Sequence, residues 1–164
     1  MTEFDHLLIA ASRQGETEVL KELIERGSDL NFQDEKGYTP LIIASYNEQP
    51  DCVELLLENG ANIDLADHGG NTALMGASFK GYLSIVKLLI EHGAKIDLQH
   101  GNGGTALMFA VMFGRNEVAE LLLKHGADSE LTDHRGQTAL MIAEVQGNST
   151  AIELIKKRIE GLNK

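Results

Sequence analysis

The stretch Gly70-Asn71-Thr72-Ala73-Leu74-Met75-Gly76-Ala77-Ser78-Phe79 decides how this chain is read. Thr72 followed by an apolar run reads as a capped helix start, because a threonine hydroxyl can accept one of the N–H groups that a first turn leaves unpaired. Phe79, near the end of that helix, stands where a polar residue facing solvent is expected. The stretch also recurs: GYTPLIIAS begins at Gly37, GGTALMFAV at Gly103 and GQTALMIAE at Gly136. Thr39, Thr72, Thr105 and Thr138 hold one spacing, as do Ala44, Ala77, Ala110 and Ala143, and Gly27, Gly60, Gly93 and Gly126. Each column advances by 33 residues without an insertion. A fixed period of this length is the signature of a solenoid of stacked units.

Each unit reads as helix, turn, helix and hairpin. The threonine column caps the first helix, and Pro40 falls at a first helical position, where a missing N–H costs nothing. Gly81, Gly114 and Gly147 break between the helices; Glu48 departs from that column, so Pro50 is expected to start the second helix there. The second helices carry CVELLL, IVKLLI and VAELLL and stop at the Gly60, Gly93 and Gly126 column, a position suited to a left-handed cap. An extended segment (ANIDLAD, AKIDLQH) then leads to a tight turn before the next threonine.

This pattern resembles the ankyrin repeat, whose signature T-P-L-H-x-A recurs over the same period. The match runs from about Phe4 to Ile159, with one recurrent departure: Ile42, Met75, Met108 and Met141 replace the signature histidine. The TALM form is similar to that of bacterial ankyrin proteins. The resemblance implies an all-α solenoid of stacked helix-turn-helix units with short β-hairpin fingers. A single domain over 1–164 divides into units of about 1–33, 34–66, 67–99, 100–132 and 133–164, the outer two acting as caps. Glu22 and Lys156, polar in columns that are otherwise apolar, fit that capping role and a complete array.

Composition limits the function classes. Hydrophobic content of 43% and charged content of 24% are those of a globular protein, and net charge is −11. A phosphate backbone or an anionic membrane is repelled by that field. No apolar run approaches the roughly 20 residues of a membrane span, and the N-terminus lacks the basic and apolar regions of a signal peptide. Cys52 is the single cysteine, so no intramolecular disulfide forms. A reducing cytoplasm is the plain reading, compatible also with a secreted effector or a removed leader.

No column sets a nucleophile beside a base, so no catalysis is expected. His68 and His134 lie two units apart, about 20 Å at the usual interaxial spacing, too far to share a metal ion. His92 and His125 are one unit apart and His100 takes an aspartate column; all read as solvated. The Gly101–Gly104 run lacks the lysine of a phosphate loop, and Cys52 reads as a small buried hydrophobe. No cofactor and no metal is expected.

The remaining feature is the column Arg13, Tyr46, Phe79, Met112, Val145 at the end of the first helices. In the ankyrin family the first helices line the concave face and the fingers project beside it, and the resemblance implies that partner proteins bind there. Tyr46, Asn47, Phe79, Lys80, Val111, Met112, Phe113, Val145 and Gln146 are thus the candidate groove residues. Lys36, His68, Asn102 and Arg135 are the candidate fingertip contacts. Phe79 is expected to be an exposed anchor, with Val111, Met112 and Phe113 beside it. The function expected is a non-catalytic, monomeric protein–protein interaction module, an adaptor or inhibitor, whose partner presents a basic face to the acidic chain. The rival readings are a metal- or haem-handling accessory protein using surface histidines, and a self-associating structural protein.

Overall fold

The computed structural model describes residues 4–163. Ten helices pair off in chain order. The first helices are α1 (Asp5–Gln14), α3 (Pro40–Tyr46), α5 (Ala73–Lys80), α7 (Ala106–Met112) and α9 (Ala139–Gln146). The second helices are α2 (Thr17–Glu25), α4 (Pro50–Glu58), α6 (Leu83–Glu91), α8 (Asn116–Lys124) and α10 (Ser149–Leu162). First helices stack on first helices and second on second, more extensively on the first-helix side. Among the described residues no helix is long and apolar enough to cross a membrane.

The threonine column does what its chemistry suggests. The hydroxyls of Thr39, Thr72, Thr105 and Thr138 accept from the backbone N–H of Ile42, Met75, Met108 and Met141 at 3.1, 3.3, 3.2 and 3.2 Å. A cap of this kind is worth about 1 kcal/mol, and short helices of seven or eight residues depend on it, because they have few internal hydrogen bonds of their own. Pro40 and Pro50 both sit in first turns. The last helix runs on to Leu162, past the point where the other second helices stop.

Packing follows the columns. Leu41, Leu74 and Leu107 are buried against the second helices, and Cys52, Ile85, Val118 and Ala151 are buried from the other side. Met75 and Met108 pack between units. Met141, in the same column, is 48% exposed because no described unit covers it, and Leu140 is correspondingly only half-buried.

The expected β-hairpin fingers do not form strands among the described residues. Each finger is a single tight turn, closed by Asp34 N–H to Tyr38 C=O (3.1 Å), Asp67 to Asn71 (2.9 Å), His100 to Gly104 (2.7 Å) and Asp133 to Gln137 (3.0 Å). The aspartates then take the remaining donors: Asp34 Oδ1 accepts from the N–H of Lys36 and Tyr38, Asp67 from Gly69 and Asn71, Asp133 from Arg135 and Gln137. With most of its N–H groups engaged inside the turn, the finger has few left to extend a ladder. Neighbouring tips are instead tied by one backbone bond each, from His68 N–H to Lys36 C=O, Gly101 to Gly69 and His134 to Asn102, at 3.1, 3.1 and 2.9 Å. Gln33 Nε2 and Gln99 Nε2 add a bond to the Ala66 and Thr132 carbonyls of the next finger. The tips sit so close that a Cβ on Gly37 would lie 2.6 Å from the His68 nitrogen.

Glu48 takes the left-handed conformation of its column (φ 56°), as the glycines Gly15, Gly81, Gly114 and Gly147 do at φ 65–78°. That conformation costs a side-chain-bearing residue roughly 1–2 kcal/mol, offset in part by the greater freedom glycine has when unfolded. Glu48→Gly is therefore expected to stabilise the fold by about 0.5–1 kcal/mol, read as a higher urea midpoint at unchanged slope. A lower midpoint would show that Glu48 is held there by contacts worth more than the strain.

Cys52 is fully buried, and burial pushes its thiol above the ordinary value of 9.0, with the neighbouring Asp51 charge adding to the effect. Above that value the unfolded chain releases the proton while the folded chain keeps it. The unfolded state then binds fewer protons, and stability falls as pH rises. The stability difference between the protein and Cys52→Ala should stay constant below about pH 8 and shrink above pH 9 in urea titrations. Parallel curves to pH 10 would contradict a protected thiol.

Candidate functional site

The candidate groove residues sit where the first helices end. Tyr46 and Met112 are the last residues of α3 and α7, and Phe79 and Val145 are next to last in α5 and α9. Because the chain must turn at the following residue, a side chain here has the break on one side and open space on the other. Tyr46, Met112 and Phe113 are 43%, 39% and 44% exposed, and Val145 is 79% exposed.

Rings from three successive units form one ladder. Tyr46 and Phe79 stack with centroids 6.2 Å apart and planes 10° from parallel. Phe79 and Phe113 meet edge-to-face at 4.5 Å and 72°. Both arrangements suit the aromatic quadrupole, and each pair is worth about 0.5–1.5 kcal/mol. Phe79 therefore departs from the expectation of a free anchor: it is half-buried, held between two rings that are themselves open. The exposed apolar surface is at the ends of the ladder rather than at its middle.

Val111 is a second correction. It is fully buried, in the column of Ser12, Ser45 and Ser78, which are also at 0% exposure. In the first four units that column turns inward one residue before the ladder, so Val111 belongs to the core and contributes nothing to the surface; Glu144, its counterpart in the last unit, is exposed. The serine hydroxyls of this column have no hydrogen-bond partner, which explains why valine is accepted there.

Polar side chains fix the ends of the first helices. Gln146 Nε2 donates to the Met112 carbonyl at 2.8 Å, Arg115 Nε to the Phe79 carbonyl at 3.1 Å, and Gln49 Nε2 to the Arg13 carbonyl at 3.3 Å. Each of these bonds runs from one unit to the one before it and satisfies a carbonyl that the helix leaves open. Asn47 Nδ2 donates to the Ile43 carbonyl at 2.8 Å. Lys80 Nζ lies 4.9 Å from the centre of the Tyr46 ring, a cation–π contact. Arg115 is the groove residue that sequence reasoning missed. The signal was the column Gln49, Arg115 just after the break, whose long polar side chains can reach back by one unit.

The fingertip residues Lys36, His68, Asn102 and Arg135 are exposed. Asn102 is committed to its turn: its N–H donates to His100 Nδ1 at 3.1 Å, and its Oδ1 accepts from the N–H of Gly104 at 2.9 Å. His100 thus supplies one of the two acceptor contacts that aspartate makes in the other fingers, and its ring meets Phe109 edge-on at 5.7 Å. His92 and His125 donate through Nδ1 to the Leu88 and Leu121 carbonyls at 2.8 and 3.0 Å, closing second helices as Asn59 does for Leu55. No group of three or more His, Cys, Asp or Glu able to hold a metal ion occurs among the described residues.

No curated protein matches the chain closely enough to count as a relative. The family model for ankyrin repeats (3 copies) matches residues 7–100 and again 92–163. Ankyrin repeats are in general protein–protein interaction modules, and the family is typically non-enzymatic. With the repeat period, the capped helix pairs and this match in agreement, the chain belongs to the ankyrin repeat family.

Proposed function

We propose that this chain is a non-catalytic recognition module, an adaptor or inhibitor, that binds a partner protein across the ends of its first helices and the adjoining fingertips. One observation carries the reading: the Tyr46–Phe79–Phe113 ladder leaves two rings and Met112 open beside polar neighbours. An apolar patch rimmed by polar groups is the usual form of a protein-binding surface, and rigid aromatic side chains make large contact area at low entropic cost. The net charge of −11 alone favours a partner with a basic face, but the charges next to the ladder differ from that average.

Phe113→Ala and Phe79→Ala separate binding from folding. Phe113 is exposed and loses one ring contact, so its truncation is expected to leave the melting temperature within a few degrees and to weaken the partner at least tenfold. Phe79 has two ring neighbours and is expected to lose about 1–3 kcal/mol of folding stability as well. The test captures partners from cells that express the protein, identifies them by mass spectrometry and measures their affinity for each variant. Partners that bind Phe113→Ala and Tyr46→Ala as tightly as the parent would refute the site.

A further inference from the structure

Charge is distributed unevenly over the two sides of the stack. The three ion pairs among the described residues, Lys21–Glu18, Arg26–Glu22 and Lys124–Glu120, all lie on second helices or, for Arg26, at the C-terminal cap of one. The cations beside the ladder are unpaired by comparison. Lys80 rests over the Tyr46 ring, and Arg115 is held by its bond to the Phe79 carbonyl. Arg115 also passes close to Gly81, where an added Cβ would meet its Cδ at 2.7 Å. Neither has a carboxylate at ion-pairing distance among the described residues, although Glu48 and Glu144 stand in adjacent columns.

Both cations are therefore positioned without being neutralised. Arg115 commits Nε to a backbone carbonyl, and its two terminal nitrogens make no hydrogen bond among the described residues. A guanidinium so fixed presents a planar fork, the geometry that receives a carboxylate in two parallel bonds. A partner that covers the open rings also strips water from these cations, and a desolvated cation left unpaired is costly. A basic partner would set like charge against like at this point.

Resting on the proposed binding face, we infer that its ligand is an acidic, apolar peptide segment: an aromatic or large aliphatic side chain seated on the Tyr46–Phe113 ladder, with an Asp or Glu carboxylate on Arg115 and Lys80. This choice opposes the net charge of the whole chain. Most of the carboxylates responsible for that charge lie on second helices and finger turns, and the nearer ones, Glu48 and Glu144, form no ion pair with Arg115 or Lys80.

The test is selection of a phage-displayed random peptide library on the immobilised full chain. The selected peptides are then titrated against the parent, Arg115→Gln, Lys80→Glu, Phe113→Ala and Tyr46→Ala, with melting temperatures to confirm that each variant folds. The expected result is enrichment of peptides with net negative charge and an aromatic or large aliphatic residue beside the acid. Affinity should fall at least tenfold in Lys80→Glu, several-fold in Arg115→Gln and at least tenfold in Phe113→Ala. Basic or neutral peptides that are lost with Phe113→Ala would overturn the acidic chemistry and leave the binding face standing. Peptides indifferent to Phe113→Ala and Tyr46→Ala, or no enrichment, would overturn both.

Discussion

Met75 and Met108 are each 2% exposed, while Met141 in the same column is 48% exposed, and the difference is whether a described unit stacks on it. No single helix pair here can bury its own apolar columns; each needs the next one stacked on it. Every other regularity follows from that requirement. The helix ends must fall at fixed places, so each first helix after α1 is capped by a threonine, and each break takes the left-handed conformation even where the residue is Glu48. The fingers must leave and return in step, so their tips are tied one to the next by single backbone bonds.

The same constraint creates the ladder. A column that repeats without insertion places one side chain per unit along a line, at roughly the 10 Å spacing of packed helices. Rings in direct contact are closer than that. Phe79 meets both neighbours, and Phe113 comes from the position after the column, one residue nearer the break. The bonds from Arg115 and Gln146 back to the preceding unit hold the helix ends at Phe79 and at Met112, next to Phe113. A rigid ladder is pre-organised, so a partner that meets it has less ordering to supply.

The repeat, the threonine caps and the places of the breaks were legible in the sequence because each depends on a local chemical need that recurs at one position of the period. The finger geometry was less so: strand formation depends on which donors remain free, and Asp34, Asp67 and Asp133 had already taken them. Val111 was misjudged because it adjoins Met112 and Phe113 in sequence, whereas it and the serines of its column, Ser12, Ser45 and Ser78, turn inward and are buried. Phe79 was correctly grouped with Tyr46 and Phe113, but its exposure depended on ring contacts between units, which a one-dimensional pattern does not carry. Arg115 was hidden for the same reason, since its role depends on the carbonyl it reaches in the unit before.

The most direct measurement of the central claim is amide hydrogen exchange of the full chain, free and saturated with its tightest-binding peptide or protein. Binding at the ends of the first helices predicts slowed exchange at residues 46–49, 79–82 and 112–115, with α4, α6 and α8 unchanged. Protection confined to those second helices, with the three breaks exchanging as in the free chain, would contradict it.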